Sequence, residues 1–133
     1  MLMVNDSVMA ALLDFRRKRN WEQFHKPKEL ASALTIEASE LQEVFQWKTD
    51  EEVRVLLASS SREKVLDEVA DVAIVLSYLC QDLDIDLNAA VLSKLKKNEG
   101  KYPVDKSYGN AKKYVKTKSE REEKTLPCLL SCF

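Results

Sequence analysis

The sequence predicts an all-α protein, a four-helix-bundle core with one short extra helix and a C-terminal tail. Three observations carry that expectation. Two glycines and three prolines among 133 residues are too few for turn-rich β architecture. Apolar side chains recur at helical spacing in two long stretches, around Leu30 to Val44 and Val65 to Leu83. Capping-box signatures, Thr49 with Glu52 and Ser60 with Glu63, stand where new helices should open. A chain of this length suits one domain, placed at residues 1–111, with 112–133 as a flexible tail.

Taken in order, Asp6 or Ser7 is positioned to cap a first helix with Val8, Ala11, Leu12 and Phe15 on its apolar side. Arg16 to Arg19 fall at its C-terminal end, where cations oppose the helix dipole. WEQFHKP follows as a covering loop that holds the lone histidine, His25, and closes on Pro27 at a first helical position. Lys28 to Trp47 reads as the second helix. Thr49 opens a short helix to about Leu57, and Ser60 opens a long one to about Leu83. Asp84 or Asp86 caps the last helix, DLNAAVLSKLKKNEG, which Gly100 and Pro103 should stop. The seam Val65, Val69, Val72, Leu76, Leu79, Leu83 is sustained enough to pack against a second subunit.

Charge and cysteine content exclude several classes. The 21 basic and 22 acidic side chains nearly cancel, which gives no general basis for attraction to a nucleic-acid polymer or a membrane. Residues 94–124 nevertheless carry 11 basic against 5 acidic groups, a local excess suited to a polyanionic small molecule or to simple solvation. The apolar run Val72 to Cys80 is too short to span a bilayer. Three cysteines and no secretory leader at MLMVNDSVMAALLDF point to a reduced, cytoplasmic chain. Cys80 lies near the apolar seam and reads as a small core residue. Cys128 and Cys132 have a spacing that could hold a metal or a disulfide, but no further Cys or His is near them.

Four carboxylates stand out against this pattern. Glu37 and Glu40 in IEASELQEVFQW, and Glu68 and Asp71 in EVADVAIVL, are i, i+3 pairs that share a helix face. Glu37 falls within the apolar stripe of its helix. Burying such groups is costly unless a cation compensates. Oxygen donors without histidine or thiolate partners suit Mg2+, with Mn2+ as a substitute. A di-iron bundle would add Glu-x-x-His motifs, which are absent. Solvated or salt-bridged helix acids are the plain alternative on spacing alone.

Five segments in order, WEQFH at 21–25, E-x-x-E at 37–40, FQWK at 45–48, E-x-x-D at 68–71 and K-x-x-x-N-x-x-K-Y-P at 94–103, resemble the MazG-like all-α nucleoside triphosphate pyrophosphohydrolases. The dCTP pyrophosphatase branch is the nearest. The resemblance covers about residues 8–110. It implies hydrolysis of a dNTP to dNMP and pyrophosphate, as housecleaning of the nucleotide pool. Glu37, Glu40, Glu68 and Asp71 would bind Mg2+, with Glu40 as the base toward water and Glu37 beside it in catalysis. Trp21 and Trp47 would enclose the base, His25 would touch the base or simply cap a loop, and Lys48, Lys94, Asn98, Lys101 and Tyr102 would serve phosphates and sugar. Leu12 and Val75 stand where that branch has a histidine and a tyrosine, which implies a base range beyond cytosine, dATP included. The resemblance further implies a homo-oligomer, a tetramer ahead of a dimer. A non-catalytic helical module or a nucleotide sensor on the same fold is the competing reading.

Overall fold

The computed structural model describes residues 4–112, and every regular element in that span is helical. The helices are α1 (Asp6–Lys18), α2 (Pro27–Phe45), α3 (Asp50–Ala58), α4 (Arg62–Asp82), α5 (Leu87–Lys101) and α6 (Val104–Ser107), with a 3-10 turn at Trp21–Gln23. The four long helices and the short α3 are those the periodicity predicts, while α6 and the 3-10 turn are additions. Internal packing divides the chain into two units, Met1–Val91 and Leu92–Phe133. The division falls inside α5.

In the first unit α2 packs along α4, and α1 joins them. Met9, Leu30 and Tyr78, one from each helix, form the buried centre, with Leu12, Leu13, Ile74, Val75 and Leu79 packed around it. The inward stripe of α1 is thus Met9, Leu12, Leu13 and Arg16, while Val8 and Phe15 stay exposed. This corrects the predicted apolar side by one residue, or about 100° of helix rotation. Arg16 permits it. Its guanidinium is buried because it forks onto Asp82 at the end of α4, Nη1 to Oδ2 at 2.8 Å and Nη2 to Oδ1 at 2.9 Å, and a paired cation tolerates burial where a lone one would not. Arg16 thus sits in the last turn of α1, as its place in the sequence predicts, and is in addition buried by its pairing with Asp82.

Helix ends follow local chemistry. Asn5, not Asp6 or Ser7, caps α1, its Oδ1 accepting from the Val8 backbone N–H at 3.0 Å. Pro27 is the first residue of α2, as expected. That helix ends at Phe45, short of Trp47, whose φ of 63° is left-handed. The chain turns there because Thr49 and Glu52 form a full capping box on α3. No box forms at Ser60 and Glu63: Ser61 is the cap residue of α4, without a side-chain bond to the helix. Asp86 Oδ1 accepts from the Ala89 N–H at 3.0 Å at the start of α5. Gly100 does not end α5, which runs to Lys101 and stops before Pro103.

Cys80 is a buried free thiol whose pKa burial pushes up, in keeping with a core role. Cys128 and Cys132 lie outside the described residues. No described helix is long and apolar enough to cross a membrane. In the α4 seam, Val69 and Leu83 are exposed, and the deepest side chains of the helix are Ser77, Tyr78 and Cys80.

Candidate metal centre and nucleotide-facing residues

The i, i+3 spacing on α2 sets Glu37 and Glu40 side by side, and α4 brings Glu68 across to them. One carboxylate oxygen from each lies within 4.8 Å of the others. Glu40 is exposed, whereas Glu37 and Glu68 are half-buried. Glu68 Oε2 is buried with no hydrogen-bond partner. Burial first, then the charges of Glu40, Asp71 and Glu68, raise the Glu37 pKa, and Glu37 also shares a hydrogen bond with Glu40. The Glu68 pKa is raised by the same causes: burial, then Glu40, Asp71, Asp67 and Glu43.

Asp71, expected as a fourth member, lies outside the group of three, although its charge acts on both Glu37 and Glu68. Glu43 and Asp67 add to the negative field at Glu68 and were not singled out from the sequence. Their only sequence signal is position: Glu43 continues the three-residue spacing of Glu37 and Glu40, and Asp67 precedes Glu68. Burial and like charges this close disfavour the ionised forms of Glu37 and Glu68, a cost that a cation would relieve. A buried orphan oxygen, hard donors only and the raised pKa values of Glu37 and Glu68 together fit a divalent ion of the Mg2+ or Mn2+ kind.

A second constellation surrounds the 3-10 turn. The Trp21 ring lies 6.0 Å from that of His25, and His25 lies 5.5 Å from Tyr78. Trp21 also meets Phe15 edge-on at 5.8 Å. Arg16 rests 4.7 Å from the Tyr78 ring centroid, and the Tyr78 hydroxyl donates to the Leu12 carbonyl at 2.7 Å. Burial, then the Arg16 charge, depress the His25 pKa, which favours a neutral imidazole. Arg16, Tyr78 and Asp82 were not foreseen as neighbours of this site. The available clue was Asp82 itself, an acid in the last turn of a helix, where the dipole disfavours it unless a cation answers.

Trp47 is not drawn into this group. It is 93 % exposed and makes no ring contact among the described residues. Lys48 follows it, exposed, at the turn into α3. Lys94, Asn98, Lys101 and Tyr102 belong to the second unit. Lys94, Asn98 and Lys101 recur along one face of α5 at i, i+4, i+7. Lys101 and Tyr102 help line a cavity of about 320 Å³ together with Lys106, Ser107, Asn110 and Lys112. Lys106 and Lys112 add two cations, and Ser107 and Asn110 two neutral polar groups, to the residues picked from the motif.

The chain is similar to several known proteins. The MazG-like family model matches residues 33–116. The chain is 45 % identical over 104 residues to dCTP pyrophosphatase 1 of Bos taurus and 40 % identical over 103 residues to that of Homo sapiens. In both cases 77 % of this chain is matched, and it spans only 61 % of the relative's length. A crystal structure of a pyrophosphatase from Archaeoglobus fulgidus shares 42 % identity with a TM-score of 0.67, covering 74 % of this chain and 91 % of that one. With the acidic cluster lying on its two central helices and the family model spanning most of its helical region, the chain belongs to the MazG-like family.

Proposed function

We propose that this chain is a nucleoside triphosphate pyrophosphohydrolase that converts a dNTP to dNMP and pyrophosphate. The observation that carries the reading is the cluster of Glu37, Glu40 and Glu68 in a chain so similar to proteins named dCTP pyrophosphatase 1. Those three carboxylates, with Asp71 beside them, would hold Mg2+ or Mn2+, which when bound neutralises phosphate charge and acidifies water. To Glu40, the exposed member, we assign the role of accepting a proton from the attacking water at its carboxylate oxygen. Water adds to phosphorus as the bridging bond between the α and β phosphates breaks.

Trp21 offers a partly exposed indole on which a base can stack, with His25 behind it. Trp47 is assigned to the other side of the base. Lys94, Asn98, Lys101 and Tyr102 supply donors suited to phosphates and sugar, and Lys48 is a further phosphate donor. The substrate range we assign is dCTP with dATP as a second substrate, because Leu12 and Val75 replace polar side chains expected in a cytosine-specific pocket.

Exposed apolar side chains on both central helices, Ile36, Leu66 and Val69 among them, support a homo-oligomer, and we favour a tetramer over a dimer. The reduced Cys80 suits a cytoplasmic role in clearing unwanted nucleotides. Incubating the purified chain with the NTPs and dNTPs, with and without Mg2+, tests the reading by pyrophosphate release. Mg2+-dependent release from dCTP that disappears in Glu40→Ala is expected. Absence of release from every nucleotide, or activity indifferent to Glu40→Ala and Glu68→Ala, overturns it.

A further inference from the structure

One charged cluster in the first unit has no part in the proposed chemistry: the Arg16–Asp82 pair with Tyr78. The pair is bidentate, at 2.8 and 2.9 Å, and Arg16 is buried. Its guanidinium faces the Tyr78 ring at 4.7 Å, the opposite end of Tyr78 is tied to the Leu12 carbonyl, and the same ring meets His25 at 5.5 Å. His25 meets Trp21 at 6.0 Å. An unbroken line of contacts therefore runs from the C-terminal turn of α4 to the indole. From the far side Arg19 lies 3.6 Å from the Phe15 ring centroid and 5.9 Å from that of Trp21. Glu22, inside the 3-10 turn, adds a charge that acts on Arg16.

This geometry is more specific than stability requires. An ion pair out of water contributes little net stability compared with apolar side chains of similar volume, so what this pair supplies is the orientation it imposes. Lysine could supply the charge but neither the planar fork on Asp82 nor the flat face on Tyr78. The short turn at Trp21–Gln23 makes few hydrogen bonds of its own: Phe24 and His25 donate to the Trp21 carbonyl, and Gln23 Nε2 donates to the Asn20 carbonyl. Its side chains must be aimed by what stands behind them.

We infer that Arg16 and Asp82, acting through Tyr78, are positioning residues that aim His25 and Trp21 at the nucleobase, and so set affinity for the base without touching it. This rests on the proposed nucleotide hydrolysis. The test compares dCTP with methyl triphosphate, which carries phosphates but no base, as substrates or as competitors in Mg2+-dependent pyrophosphate release. The full chain is assayed as wild type, as Arg16→Lys, and as the double variant Arg16→Met/Asp82→Leu, which replaces the pair by apolar groups of similar size and is expected to fold.

In the double variant KM for dCTP should rise roughly tenfold, with kcat within about twofold, since a displacement of about 1 Å at a binding wall is enough for such a loss. The constant for methyl triphosphate should not change, and Arg16→Lys should fall between. Equal losses for both ligands would mark the pair as structural only and overturn the inference, as would an unchanged dCTP constant. If the double variant does not fold, Arg16→Lys alone decides by the same ratio. Wild-type chain that releases pyrophosphate from no nucleotide defeats the proposed function and this inference with it; active wild type with an unaltered ratio in the variants defeats the inference alone.

Discussion

Helix α4 carries two carboxylates with opposite fates. Near its end, Asp82 meets Arg16 in a two-pronged ion pair. Four turns earlier, Glu68 leaves an oxygen buried without a partner and faces further acids. The same helix thus closes one charge within the chain and leaves another open. A group satisfied by its own chain serves the fold or its orientation. A group held among like charges and out of water requires a ligand that the chain does not provide.

The largest effect should come from the open end. Glu40→Gln is expected to lower kcat by about 10²–10⁴-fold, the range for losing a positioned proton acceptor, while thermal unfolding moves little or rises because one repelling charge has gone. Pyrophosphate release and a melting curve on the same preparation check both halves. A variant that melts much earlier than wild type would mean that the acids hold the fold together.

The closed end should behave in the reverse way. Asp82→Ala strands a buried guanidinium, and loss of one partner of such a pair costs about 3 kcal/mol, the low end of the usual range because Asp82 is 24 % exposed. Urea unfolding measures it. Mg2+ binding to the acidic cluster, followed by calorimetry, should persist wherever the variant remains folded. If Asp82→Ala costs nothing, the contrast between the two ends of α4 fails.

The two regions should also titrate in opposite senses. The folded-state pKa of Glu37 and Glu68 lies above the ordinary 4.5, so the folded chain holds extra protons in that window. Their contribution therefore makes the metal-free protein less stable as pH rises through the raised values. His25 is depressed below 6.5, so the unfolded chain takes up the proton first, and its contribution is present above 6.5 and lost as pH falls through the lowered value. Melting temperatures across this range should show Mg2+ removing the carboxylate slope and leaving the histidine slope. His25→Gln should do the converse. A single slope that responds to both changes would show that the two regions are coupled.

Much of this was readable in advance because periodicity and spacing are local. The pairs Glu37/Glu40 and Glu68/Asp71, the Thr49 capping box and Pro27 at the start of α2 depend on residues within one or two turns. The burial of Arg16 was not legible because a charge on a helix counts as outward in any hydropathy pattern, and only the distant Asp82, 66 residues away, reverses its sense. The position of Trp47 was misread for a related reason. FQWK continues a helical pattern, and the break comes from the capping demand of the next helix. Convergence of Glu68 with Glu37 and Glu40, but less closely of Asp71, depends on how α2 and α4 pack, which spacing within either helix does not specify.

The smallest predicted effect separates the two kinds of anchoring on α1. Asn5 caps its start, accepting from Val8 and from the Ser7 hydroxyl, and Arg16 ties down its last turn. Asn5→Ala should cost about 1 kcal/mol, the usual loss for an N-cap, and should leave KM for dCTP unchanged, because fraying the first turn leaves Leu12, Arg16 and the Trp21 turn in place. A cap loss that raised KM as much as a change at Arg16 would mean that α1 moves as one rigid rod. Orientation at Trp21 would then depend on every anchor of that helix and not on the ion pair in particular.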